Sequence, residues 1–217
     1  MHINKYDVDA SKNCNKCKRL FVYRNNLKNQ FPAWHNSPVN SFGSIKSEIL
    51  ILGLAPGKRG ANRTGRPFTG DGAGKVLFNE LLKNGYAIGK YDENGKDDLN
   101  LINCRISNIV KCVPPKNKPI AIEFKNCRNF LINEINTMKN LRVILSLGNE
   151  SFKTVNLIYK TKGKFKFKHN EIYKLNGNVF LVSSFHCSRY NINTKRLSLN
   201  SFEEIFKTIK TLIMNDF

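Results

Sequence analysis

"EILILGL" (residues 48–54), running directly into "APGKRGANRTGRPFTGDGAG" (55–74), decides the reading of the fold. The first stretch is a short, continuous apolar run rich in β-branched residues, the pattern of a strand buried on both faces. The second holds six glycines, four cations (Lys58, Arg59, Arg63, Arg66), one acid (Asp71) and one aromatic (Phe68), with almost nothing that packs. A loop of that length inside a compact domain is usually functional. It is read as unstructured and flexible, with Phe68 exposed.

Three more runs resemble the first: "CRISNIVKC" (104–112), "LRVILSLG" (141–148) and "NVFLVSSFH" (178–186). Helical patterns lie between them. "GKVLFNELLKNG" (74–85) ends at a glycine. The stretch 121–140 spaces Phe124, Cys127, Leu131, Ile135 and Met138 at helical intervals. A last helix is expected to open at Ser201, with Glu204 three residues on as a capping box. Strands alternating with helices predict an α/β domain, a three-layer α/β/α sandwich around a short, mostly parallel sheet. In such sheets ligands bind at the carboxyl ends of the strands. The loop 55–74, the "KCVPP" turn and the "SFHCSRYN" turn all fall there. One domain is expected over 1–217, with residues 1–30 as an N-terminal segment.

The glycine-rich stretch is not a nucleotide loop. Only three residues separate Gly70 from Gly74, Val76 follows Lys75, and Lys75 takes the third glycine position of the dinucleotide pattern. Charge points elsewhere. Thirty-six Lys and Arg against 16 Asp and Glu give +20, which fits a polyanionic partner. No apolar stretch approaches the roughly 18 residues of a membrane span. "MHINKYDVDASKN" has no apolar signal core, so a cytoplasmic protein without membrane partners, and a monomer, is expected.

Six cysteines without an export signal argue against a disulfide framework. Cys14 and Cys17 form C-x-x-C, while fourteen residues lie between Cys112 and Cys127. A zinc ribbon wants a second close pair. Four thiolates from distant segments also suit an iron–sulfur cluster, and inert buried thiols are the alternative.

Taken together, "GLAPGKRGANRTGRPFTGD" (53–71), "NIVKCVPPKNKP" (108–119) and "HCSRYNINTKRL" (186–197), with "PVNSFG" (38–43) before them, resemble the motifs of uracil-DNA glycosylases, particularly family 5. The resemblance runs from Cys14 to about Leu197. It implies an enzyme that excises uracil, and other deaminated bases, from DNA. It implies that Cys14, Cys17, Cys112 and Cys127 hold a [4Fe-4S] cluster, leaving Cys104 and Cys187 as non-ligands. Asn108 matches the asparagine that reads the uracil edge, and His186 the histidine directed at O2. Phe68 becomes a platform for the flipped base or an anchor for the loop. Leu54 stands where many relatives carry a water-orienting polar group, so Asp71 or backbone near Ala55 takes that role; Asp71 equally suits a helix cap. Arg63 and Arg66 are expected to grip phosphates. Tyr190, Arg189 or both are expected to wedge into the stack, unless Tyr190 packs under its loop and Arg189 meets a phosphate. Cys187 replaces the usual proline, which predicts a less constrained turn around His186. Leu54 and Cys187 together leave a second reading open: a DNA-binding protein on this scaffold with weak or lost catalysis.

Overall fold

The computed structural model describes residues 7–214. The ends of the expected 1–217 domain, residues 1–6 and 215–217, lie outside them. In chain order the elements are α1 (Lys18–Gln30), β1 (Ile49–Gly53), α2 (Ala61–Thr64), α3 (Gly72–Lys83), β2 (Ala87–Ile88), β3 (Asn100–Leu101), β4 (Cys104–Asn108), α4 (Ala121–Thr137), β5 (Val143–Leu147), α5 (Asn149–Ile158), β6 (Glu171–Lys174), β7 (Phe180–Ser184), α6 (Arg189–Asn193) and α7 (Leu199–Met214). Five strands form one sheet in the order β4-β1-β5-β7-β6, and β2 pairs with β3 apart from it. The four apolar strands run parallel; β6 joins β7 antiparallel at the edge.

All four parallel strands are buried on both faces, and the alternation of their side chains separates two cores. Ile49, Ile51, Ile106, Leu145 and Val182 face α3 and α7. Leu50, Leu52, Ile144 and Leu181 face α1, α4 and α5. That is the three-layer sandwich the sequence predicts. The last helix differs at its start. Ser198, not Ser201, is the cap: the Ser201 amide donates to Ser198 Oγ and the Ser198 amide to Ser201 Oγ. Serine at the third helical position thus does what Glu204 was expected to do, and Glu204 pairs with Lys207 instead.

The loop 55–74 is not unstructured. It contains α2, and Phe68 is 7% exposed, anchored in the α3/α7 core. The reason lies outside the loop. Arg66 makes a bidentate pair with Asp97 at 2.6 Å on both oxygens and donates to Thr69 Oγ1. Its guanidinium also lies over Phe42, Phe78 and Tyr91. Arg63 donates to Arg59 O, Asn94 Oδ1 and Glu93 O. Arg66 is therefore no phosphate grip, and Arg63 spends its donors on the 92–97 turn; both arginines fold the loop. Arg66→Ala leaves Asp97 as a buried, unpaired carboxylate. It is expected to destabilise the fold by about 3 kcal/mol in denaturant unfolding.

Candidate active site

The carboxyl ends of β1, β4 and β7 open into one cleft of about 620 Å³. Leu54, Ala55, Phe68, Asp71, Asn108 and His186 line it, and Ser188, Arg189 and Tyr190 form part of its wall. The three motif segments meet because β1 pairs directly with β4, while β5 sets β7 one strand further along.

Asn108 ends β4 in register with Gly53. It is 3% exposed, yet among the described residues no protein group hydrogen-bonds its side-chain amide. Neither atom of that amide is among the fully buried side-chain atoms without a partner, so the amide opens onto the cleft, free to meet a donor and an acceptor there. Gly53 is required beside it: a Cβ there would meet Asn108 Oδ1 at 2.6 Å and the Phe68 ring at 2.7 Å.

Phe68 holds a left-handed φ of 55°, a strained conformation for a bulky residue. Gly74 makes this possible, because a Cβ at that position would collide with the Phe68 carbonyl at 1.6 Å. The ring stacks on His186 with centroids 5.6 Å apart and planes 19° from parallel. Phe68 is thus both the anchor of its loop and a wall of the cleft.

His186 follows the end of β7. Burial lowers its pKa below the ordinary imidazole value, and the Asp71 carboxylate opposes this only in part. The ring is therefore neutral at pH 7, with one N–H to donate. The turn presenting it is well fastened despite the absence of proline. The Asn191 side chain donates to His186 O at 2.8 Å, Ser188 caps α6, and the buried Cys187 thiol reaches Ala73 O at 3.5 Å. Asn191 thus supplies a hydrogen-bonded restraint on the turn where Cys187 takes the place of the usual proline.

Asp71 divides its two oxygens. Oδ1 accepts the Ala73 and Gly74 amides at 3.1 Å each and caps α3. Oδ2 lies beside Gly57 and Gly60 at the cleft, where a Cβ on Gly60 would come within 2.7 Å. Arg189 packs its stem over Gly72, and Tyr190 is 72% exposed at the rim, not packed under the loop. The sequence reading missed Asn117, which lines the cleft with a left-handed φ of 55° just after the "CVPP" turn. Its only sequence signal is an asparagine in a proline-rich turn, where left-handed backbone favours that residue.

On the opposite side of the "KCVPP" turn, Cys14, Cys17, Cys112 and Cys127 line a second, small cavity with apolar walls. All four are free thiols. The Lys111 amide donates to Cys127 Sγ at 3.2 Å, and Arg24 Nε is buried there without a partner among the described residues. Arg19 pairs with Glu123 at 2.7 Å and ties α1 to α4 beside the cavity. Among the described residues, no group of three or more His, Cys, Asp or Glu is arranged to hold a single metal ion. No helix of the described residues is long and apolar enough to cross a membrane.

Comparison with known proteins agrees with this geometry. The model of the uracil DNA glycosylase superfamily matches residues 40–210. The chain is 36% identical over 206 residues to a type-5 uracil-DNA glycosylase of Thermus thermophilus, covering 92% of this chain and 93% of that protein. A type-5 enzyme of Pyrobaculum aerophilum is 34% identical over 204 residues, with 92% and 89% covered. A type-4 enzyme of Saccharolobus solfataricus is 30% identical over 217 residues, with 94% and 83% covered. Matched by that model over most of its length and about a third identical to type-5 enzymes across nine-tenths of their length, the chain belongs to the uracil DNA glycosylase superfamily, on its type-5 side.

Proposed function

We propose that this protein is a DNA-repair glycosylase that flips uracil out of DNA and hydrolyses its N-glycosyl bond, leaving an abasic site. The carrying observation is the Asn108 amide, which has no protein partner among the described residues and opens onto the same cleft as His186 and Phe68. An amide offers a donor and an acceptor, which a uracil edge answers with O4 and N3–H. The flipped ring lies against Phe68, where stacking contributes about 1–3 kcal/mol. As the C1′–N1 bond breaks, its electron pair leaves with the base and negative charge grows on O2. His186 donates its N–H to that oxygen as a preorganised electrostatic group. Asp71 Oδ2 faces the sugar, where it stabilises the oxocarbenium character and orients the water that adds to C1′. The released proton passes to solvent or to the uracil anion.

The test is a duplex carrying one uracil, incubated with the protein and then cleaved by alkali at abasic sites. A nick at the uracil supports the reading; intact strands overturn it. The same duplex carrying other deaminated bases defines the base range.

Tyr190 and Arg189 suit the gap left by the extruded base, since both are exposed at the cleft rim. Replacing both with alanine is expected to slow excision from stable duplex about tenfold more than from single strands, where little unstacking is needed. Single-turnover rates on the two substrates check this, and equal losses contradict it.

The four cysteines fit an iron–sulfur cluster better than a single ion. They converge on one apolar cavity from three segments, with a backbone amide N–H meeting one sulfur, which suits a cluster bridged by four thiolates. The group would tie the N-terminal segment to α4 and to the turn that follows Asn108. Purified protein is expected to contain about four irons and four acid-labile sulfides per chain, and Cys127→Ser to lose them with a lower melting temperature. Stoichiometric zinc without iron would sink the assignment.

A further inference from the structure

The segment "KTKGKFKFK" (160–168) belongs neither to the cleft nor to the cysteine cavity. Its phenylalanines turn inward. Phe165 stacks on Tyr173 with centroids 4.5 Å apart, and Phe167 meets Phe152 and Phe185 edge-on at 5.5 and 5.6 Å. The alternation leaves Lys162, Lys164, Lys166 and Lys168 exposed as a row on the outside. Lys168 faces Glu171 at 3.7 Å; among the described residues no acid pairs with Lys160, Lys162, Lys164 or Lys166.

The row is fastened to the carboxyl end of β7, the strand that carries His186. Ser183 Oγ donates to Lys168 O at 2.5 Å, the Asn170 amide donates to Ser183 O, and the Phe185 amide donates to His169 Nδ1 at 3.4 Å. A further cleft of about 350 Å³ lies between the segment and the His186 turn, lined by Phe167, Phe185, His186 and the exposed Arg196. The Arg196 guanidinium sits 4.7 Å over the Phe185 ring. Cations with no acid partner among the described residues therefore continue from Lys162, Lys164 and Lys166 through Arg196 to Arg189 at the rim of the base cleft.

We propose that Lys162, Lys164, Lys166 and Lys168, with Arg196, form a DNA-backbone contact that holds the duplex flanking the lesion on the His186 side. This rests on reading the main cleft as a DNA-repair site. Like charges held in a row repel one another, and a polyanion relieves that repulsion while releasing its own counterions. The inward phenylalanines fix the backbone beneath the lysines, so binding orders only side chains. The surface reads no sequence, because it offers charge and no base-edge donors aimed into a groove.

The test replaces the four lysines with glutamine and measures binding to uracil-free duplex by fluorescence anisotropy across a salt series. The slope of log K against log salt is expected to become shallower by about 3, at roughly 0.9 for each phosphate that is no longer neutralised. Shortening one flank of the duplex should weaken wild-type binding and leave the variant unaffected, the non-additivity expected when both changes remove the same interaction. Single-turnover excision at saturating DNA should stay within twofold of wild type. An unchanged slope, or an equal loss on short and long duplexes, overturns the proposal. Binding is measured without catalysis, so a lysine-dependent slope in a protein that releases no uracil would reject the cleft reading and keep this surface.

Discussion

His186→Ala is expected to slow single-turnover base release by about 10²–10³, the usual loss for one oxyanion-type donor. DNA affinity should change by less than about threefold, because the donated hydrogen bond strengthens only as charge develops on O2. The neutral ring makes a second demand. Burial lowers the His186 pKa, so its N–H form persists as pH falls through 6.5. The wild-type rate is expected to be flat across that value. A rate that climbs as pH drops below about 7 would mean that imidazolium, and not imidazole, is the active form. Stability carries the opposite sensitivity. Between the ordinary value and the lowered one, the unfolded chain binds protons that the folded chain refuses, so stability declines as pH falls below about 6.5. His169, also lowered by burial, adds to that decline.

Asn108→Ala is expected to cost about 10² in kcat/KM on uracil, the loss of two hydrogen bonds to the base edge. The informative readout is the companion effect on stability. A structural asparagine leaves orphaned partners when removed, which lowers the melting temperature. Here the amide has no protein partner among the described residues, so removing it should leave the melting temperature unchanged or raise it. A stability loss together with normal catalysis would make Asn108 a turn-forming residue.

How far the sequence revealed this site follows from how local each cause was. The parallel strands were legible because burial on both faces writes a continuous apolar run, as in "EILILGL". Strand β6, "EIYK", was missed because an edge strand alternates half-buried with exposed residues and carries too few apolar positions. Helix α1 was missed for a related reason: only Leu20, Arg24 and Leu27 are buried along it, and the Arg19–Glu123 pair spans 104 positions. The loop 55–74 was misjudged through the same blindness to distance. Its composition lacks packing residues, but Asp97 lies 31 positions from Arg66 and supplies the pair that orders it. That His186, Asn108 and Asp71 share a cleft was legible because each sits at a strand end or helix start within a recognisable motif. Asn117 was not, because its left-handed backbone and its place on the cleft appear only once the turn is folded.

What separates an enzyme from a DNA-binding protein on this scaffold is catalysis by Asn108 and His186 on a flipped uracil. Mass spectrometry of the free base, after single turnover with excess protein over a duplex holding one uracil, distinguishes the two. Wild type is expected to release one equivalent of uracil, while the Asn108→Ala, His186→Ala double variant binds the duplex with similar affinity and releases none within the same time. A wild-type protein that binds the duplex and leaves its uracil attached, or a double variant that releases uracil at the wild-type rate, would contradict catalysis at this site.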